Sequence, residues 1–397
     1  MTTLTNSILE AVREGAGFPE AFTPLHEPEF AGREEDYVAD CIRTGWVSSV
    51  GSFVDRFEAD LAEFTGCSRA VATVNGTAAL HIALKCSGVQ AGDEVLLPTL
   101  TFVATANATS YAGAIPHFVD SEATTLAVCP EALRSHLEEC AEKRDGGCFN
   151  RKTGRRIAAL VVMHAFGHPA QLDPLLELCR EWSIPLVEDA AESLGSYYQG
   201  RHTGGFGLVS ALSFNGNKIL TTGGGGAILT NDPAIADRAK HLTTTARISD
   251  GWNFTHDEIG YNYRLPNLNA ALGCAQLERI TDMLQRKRAL AMRYKALFKD
   301  IAGVRLLEEP QGTESNYWLC TLVLEQFDHQ LHTEVLSALN DAGLMARPVW
   351  TLMHRLPMFA DAPRADLSCA ERLAVQIINI PSSPKLFAAP AGAGGDV

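Results

Sequence analysis

Between Cys67 and Asp232 short apolar runs alternate with stretches patterned at the helical period. Residues 70–74 (AVATV), 94–97, 115–119, 157–164 and 184–187 read as strands, most of them apolar at nearly every position. Between them, residues 77–85, the small-residue segment TFVATANATSYAG, the run PEALRSHLEECAEK opened by Pro130, and residues 173–182 read as helices. Proline suits a first helical turn, and Gly88 is a plausible stop for the first of these helices. Strands apolar on both faces and separated by helices predict a mostly parallel sheet covered on both sides. Ligands of such sheets bind beyond the carboxyl ends of the strands.

The pattern then changes. Residues 207–214 and 226–230 read as strands joined by a glycine-rich link, and 265–299 as one long helical stretch. From about Val304 a second α/β pattern begins, with YWLCTLVLE as a strand and HTEVLSALNDAG as a helix. A boundary near Gln285 to Arg288 divides a large domain with an amino-terminal arm, 1–285, from a small carboxy-terminal domain, 286–397. The segment KRDGGCFNRKTGRR (143–156) reads as a polar, basic excursion between helix and strand, and the tail FAAPAGAGGDV as disordered.

Composition narrows the classes. The 397 residues are 46% hydrophobic and 20% charged, a globular balance. Lys plus Arg number 33 against 47 Asp plus Glu, a net charge of −14, which argues against a broad nucleic-acid or anionic-membrane surface. No apolar run reaches the length of a membrane span, and the amino terminus lacks the pattern of a secretory signal. The ten cysteines are scattered, with no CxxC pair and no Cys/His ligand cluster in the sequence. Free thiols in the cytoplasm and no metal site are therefore expected.

Four segments carry candidate chemistry. Asn75-Gly76-Thr77 links a strand directly to a helix, a setting whose free amides and dipole suit a phosphate. Read alone, it is equally an ordinary strand-to-helix turn capped by Thr77. Glu188 and Asp189, followed by Glu192, end a buried strand. At least one of these acids needs a cationic partner, and a pyridinium nitrogen would serve, as would a helix cap or a salt bridge. Lys218 closes Ser213-Phe214-Asn215-Gly216-Asn217 ahead of a glycine run, the setting of a lysine that bonds a cofactor aldehyde, or of a surface lysine beside a hairpin. Gly260 to Asn267 (GYNYRLPN) offers Asn262 and Arg264 before a helix. Neither a GxGxxG fingerprint nor a P-loop is present in the glycine run, which weakens a nicotinamide-dependent dehydrogenase reading.

The order of these motifs is more telling than any one of them. GTAAL, PTLTFVATANA, HAFGHPAQLDP, EDAAES, SFNGNK with its glycine run, and GYNYRLPN together resemble the DegT/DnrJ/EryC1/StrS sugar-nucleotide aminotransferases over residues 23–384. The resemblance implies an α/β fold of the pyridoxal-phosphate-dependent fold type I, with a mostly parallel mixed sheet in the large domain and a smaller α/β domain. It implies Lys218 as the lysine that holds the cofactor aldehyde and Asp189 as the partner of the pyridine nitrogen. Phe102 falls on the aromatic that stacks on the ring, and Gly76, Thr77 and Ser213 on phosphate ligands. Glu192 sits near the cofactor's phenolic oxygen, where a carboxylate would be repulsive unless protonated or bridged by water. Asn262 falls on an asparagine that reaches the phosphate of a partner subunit, which implies a homodimer. PLHEPEFAG, GWVSSVGSFVDRFE, CFNRKTGRR and INIPSSP look most like the branch that aminates UDP-4-keto-6-deoxy-N-acetylglucosamine with L-glutamate, for bacillosamine and legionaminic acid synthesis. The loop at 46–51 and residues 256–258 are candidate substrate contacts, and the basic insert a candidate diphosphate contact. A GDP-linked acceptor, or a fold retained without catalysis, are the remaining readings.

Overall fold

The computed structural model describes residues 1–387. Of the tail expected to be disordered, residues 388–397 lie outside the described residues. The centre is a sheet whose main path has seven strands: β1 (Arg69–Thr73), β2 (Glu94–Pro98), β3 (Ile115–Val119), β4 (Arg156–Met163), β5 (Leu186–Asp189), β6 (Val209–Ser213) and β7 (Gly226–Thr230). Their spatial order is β1-β7-β6-β5-β4-β2-β3. β7 runs antiparallel to both neighbours, and the other pairings are parallel. β4 shows why: from Ile157 to Met163 every residue is buried, as both faces are covered by helices.

The helices follow the same logic. Leu172–Trp182 buries Leu172, Leu175, Leu178, Cys179 and Trp182, a stripe at three- and four-residue spacing. Gly76–Cys86 is instead apolar nearly all round, because it lies between the sheet and its helical neighbours, and eight of its eleven residues are buried. The carboxy-terminal part holds a four-stranded antiparallel sheet, in the order Val304–Leu306, Cys320–Leu324, Ile377–Ile380, Arg347–Pro348. Its core includes Leu322, Val335 and Ile378, together with Leu290 and Tyr294 and with Ile8 and Val12 from the amino-terminal helix Thr3–Gly15.

Two expectations change. The stretch at 265–299 is two helices, Asn267–Leu277 and Ile280–Phe298, broken where Gln276 and Arg279 reach back to Glu29 and Glu34. Residues 285–288 therefore lie inside an unbroken helix. The basic excursion is a β-hairpin, Ala141–Arg144 and Gly147–Asn150, that pairs with the start of β4. Asp145-Gly146 turns it, both with positive φ (51° and 75°), the two-residue geometry for which Asp-Gly is favoured.

Candidate active site

A cavity of about 280 Å³ opens at the carboxyl ends of β4, β5 and β6. Met163, Asp189 and Ser213, the last residues of those strands, line it. Opposite them lies the start of the helix Gly76–Cys86. Its cap is Asn75, whose side chain accepts from the Ala78 amide at 2.8 Å, so the reading of Thr77 as the cap does not hold. Of the first amides, which have no partner inside a helix, those of Gly76 and Thr77 remain for a ligand. Glycine is required at this approach. A Cβ on Gly76 would stand 2.8 Å from the Ser213 Cβ, and one on Gly226 2.5–2.7 Å from the backbone of Asn75 and Gly76. The strand end and the helix start can meet only because both side chains are absent.

The two acids ending β5 point to opposite sides, as alternation along a strand requires. Glu188 leaves the cavity. It accepts from the amides of Gly204 (2.7 Å), Phe206 (2.7 Å) and Gly207 (2.6 Å) and lies 3.1 Å from His164 Nε2. Burial works against its charge, but His164 and those amides outweigh it and hold the carboxyl below its usual range. Asp189 faces the cavity. Its carboxylate accepts from the Thr105 hydroxyl at 2.7 Å and the Ala191 amide at 3.2 Å. Burial prevails there and pushes its pKa up, with Thr105, Ala191 and Lys218 opposing.

Lys218 lies in the same cavity, its side chain 13% exposed. Its Nζ stands 3.1 Å from Glu192 Oε1 and 3.7 Å from the centroid of the Trp318 ring. Trp318 is fixed by its indole N–H, which donates to the Asn217 carbonyl at 2.8 Å. Glu192 is 4% exposed and takes the Phe166 amide on its other oxygen at 2.9 Å. Burial raises its pKa, and the nearby Lys218 ammonium limits the rise.

The cavity thus gathers Gly76, Thr77, Phe102, Asp189, Glu192, Ser213 and Lys218. Phe102 is 48% exposed and sits at the rim, its ring 6.2 Å from that of Trp350. Asn262 is not among the lining residues; it forms a backbone bridge with Thr244. Arg264 bridges to Thr73, and its Nε is buried without a partner among the described residues. Residues 46–51 and 256–258 also stand outside this cavity. The basic insert is at the opposite end of β4 from Met163, about 23 Å along the strand. Its cations are engaged locally, Arg156 with Asp93 and Arg151 with the carbonyls of Glu138 and Glu139. It is therefore no contact for a diphosphate bound in this chain's own cavity. Sequence reasoning missed Thr105, Met163, Trp318 and Trp350. Thr105 lies in the first turn of the helix Val103–Tyr111, which Phe102 precedes.

A buried carboxylate short of donors, a lysine amine and a glycine-dependent amide cradle are the complement of a phosphorylated pyridinium aldehyde. The profile of the DegT/DnrJ/EryC1/StrS aminotransferase family matches residues 28–391, and the chain belongs to that family. EpsN of Bacillus subtilis (strain 168) is 39% identical over 85% of this chain and 84% of its own. The GDP-perosamine synthase of Escherichia coli O157:H7 is 35% identical over 92% of this chain and 94% of its own. The crystal structure of the aminotransferase TlmJ from Streptoalloteichus hindustanus superposes with a TM-score of 0.81 at 30% identity, covering 90% of this chain and 93% of that one. The protein is a sugar aminotransferase of fold type I whose cofactor is pyridoxal phosphate. Among the described residues no helix is long and apolar enough to cross a membrane.

Proposed function

We propose that the protein transfers the amino group of L-glutamate to C4 of a nucleotide-linked 4-keto-6-deoxy sugar, with UDP-4-keto-6-deoxy-N-acetylglucosamine as the acceptor. The observation that carries the reaction is the placement of Lys218 and Asp189 in one cavity with the amide cradle at Gly76 and Thr77. The acceptor rests on the resemblance of the segments around residues 24–32, 45–58 and 378–384 to the UDP-sugar branch.

Bound pyridoxal phosphate supplies an aldehyde that exchanges amino groups and a ring that takes up electrons. Asp189 holds a proton on the ring nitrogen, and Thr105 and Ala191 hold Asp189 in place. The Gly76 and Thr77 amides and the Ser213 side chain take the phosphate. Lys218 would hold the aldehyde, and its amine, when free, would move a proton at the reacting carbon of glutamate and at C4 of the sugar. Glu192 Oε1 sits within hydrogen-bond reach of that amine and supplies a resting place for its proton. Trp318, stacked under the ammonium, limits the directions in which it swings.

Asn262, or Arg264 in its place, completes the phosphate site of a second subunit, so the working unit is a homodimer. The ten cysteines, all free, accord with a reducing cytoplasm. A second reading is favoured by the identity to GDP-perosamine synthases, namely a GDP-linked 4-keto-6-deoxy sugar as acceptor. Purified protein is incubated with cofactor, glutamate and each keto sugar, and products are read by mass spectrometry. A 4-amino product from the UDP-linked sugar supports the first reading. Amination of the GDP-linked sugar alone replaces it with the second.

A further inference from the structure

At the other end of the sheet three metal-ligating side chains converge that sequence spacing does not bring together. His117 lies on β3, and His136 and Cys140 lie one turn apart on the helix Pro130–Cys140. The Nε2 atoms of His117 and His136 are 2.8 Å apart, and Cys140 Sγ is 3.4 Å from His136 Nε2. All three donor atoms lie within 4.8 Å of one another. His117 and Cys140 are buried, whereas His136 is partly exposed and gives the cluster a way in from solvent.

Glu94 orients the set. Its carboxylate is fully buried and accepts from the Asn150 side-chain amide (2.9 Å) and the Thr153 hydroxyl (2.6 Å), both from the basic insert. It also stands 2.9 Å from His117 Nδ1. A carboxylate can only accept, so Nδ1 carries the imidazole proton and Nε2 turns a lone pair toward His136 and Cys140. A carboxylate behind a histidine is the outer-shell arrangement that fixes the tautomer of a metal ligand.

We propose that His117, His136 and Cys140 form a soft-cation site that takes Zn²⁺, with a water molecule as fourth ligand. Imidazole nitrogen and thiolate sulfur are both zinc ligands, and three of them leave the fourth tetrahedral position to water. Bonds of roughly 2.0–2.1 Å to nitrogen and about 2.3 Å to sulfur set N···S near 3.5 Å and N···N near 3.3 Å in a tetrahedron. The spacing of Cys140 Sγ from His136 Nε2 already matches, and the imidazole pair opens by about half an ångström, which the partly exposed His136 can provide. Binding displaces all but one of the ion's waters, forms two Zn–N bonds and one Zn–S bond, moves the His136 proton from Nε2 to Nδ1 and releases the Cys140 thiol proton to solvent. No redox change is involved. The ion ties the helix Pro130–Cys140 to the edge of the sheet and, through Glu94, to the insert. Its role is to staple the edge of the sheet, remote from transamination.

The test uses the cofactor-loaded protein. After equilibration with ZnCl₂ and dialysis, wild type retains one zinc per chain by elemental analysis, and His136→Ala and Cys140→Ser each weaken retention by more than the roughly 10–100-fold that loss of an outer-shell partner costs. The Cys369→Ser variant, outside the cluster, behaves as wild type. Zinc raises the melting temperature of wild type but not of the double variant His136→Ala/Cys140→Ser. X-ray absorption on zinc-loaded wild type needs no variant and shows one sulfur with imidazole nitrogens. No zinc retained by wild type, a zinc shell without sulfur, or retention unchanged in the double variant each overturns the proposal.

Discussion

Thr105→Val removes one hydroxyl and leaves the shape of the side chain. That hydroxyl donates to Asp189 at 2.7 Å, and the only other donor to this carboxylate among the described residues is the Ala191 amide at the longer 3.2 Å. A hydrogen bond to a charged group contributes about 1.5–3 kcal/mol. Burial already raises the pKa of Asp189, and Thr105 is the largest influence opposing that rise. Its loss moves the carboxyl further toward its neutral form, which cannot hold a proton on the pyridine nitrogen. The expected effect is a roughly ten- to hundredfold loss in the rate constant for bleaching of the bound cofactor by glutamate, at about 1.4 kcal/mol per factor of ten. The acid limb of the pH–rate profile shifts upward. Thr105 also touches Thr101 at 2.9 Å, but Thr101 keeps the Met163 sulfur as a partner, so collateral damage is small. Thr105→Ser, which restores the donor, recovers most of the rate. Stopped-flow absorbance reads all three proteins. An acid limb that does not move in Thr105→Val, with a rate within threefold of wild type, refutes the reasoning.

Three further outcomes are expected. Borohydride reduction of the cofactor-loaded protein followed by peptide mapping places the pyridoxyl group on Lys218, and an adduct on any other lysine ends that assignment. Asp189→Asn abolishes turnover yet stabilises the cofactor-free protein. Burial raises the folded-state pKa of Asp189 above its unfolded value, so the folded state binds the proton more tightly, and stability is lost as pH rises through that window. Melting curves of cofactor-free Asp189→Asn and wild type therefore differ most at about pH 8 and converge on acidification, and a difference constant with pH counts against this account. Mixing inactive Lys218→Ala with inactive Asn262→Ala under subunit exchange restores partial activity, since one site of the heterodimer then carries neither lesion. Absence of recovery despite demonstrated exchange removes Asn262 from the partner site.

What the sequence discloses depends on how local the cause is. The strands of the central sheet are legible because burial on both faces writes a continuous apolar run, as in β4. Lys218 and Asp189 stand out in the sequence because Asp189 ends a strand and Lys218 follows one, each in a turn of distinctive composition. The hairpin at 141–150 reads as an excursion because Glu142, Lys143 and Arg144 give it no apolar alternation; only Asp145-Gly146 betrays it. The break at Glu278 has no local breaker residue, being imposed by Glu29 and Glu34 from some 240 residues away. Trp318 and Trp350 reach the cavity from the carboxy-terminal part, and no periodicity announces a contact between distant segments. The cluster of His117 with His136 and Cys140 is invisible for the same reason, since only folding closes the nineteen-residue gap between its histidines.

Glu188 and Asp189 show how the fold divides stability from function within two residues. Both carboxylates are buried, on one strand end, with the same intrinsic cost of desolvation. The chain spends three backbone amides and a histidine on Glu188, and the result is a carboxyl held below its usual range. On Asp189 it places one hydroxyl and one long amide contact, and the carboxyl rises. If burial alone governed these groups, they would shift in the same direction. Glu188 is a structural anion, complete without a ligand, that pins the loop at 204–207 beneath the sheet. Asp189 is left incomplete on the side that faces the cavity, so part of its desolvation cost is recovered only when a cation arrives there. In the proposed reaction, where Asp189 faces the ring nitrogen, that shortfall would favour a protonated pyridine ring over a neutral one. It also makes cofactor binding a source of stability for the strand ends that carry the site.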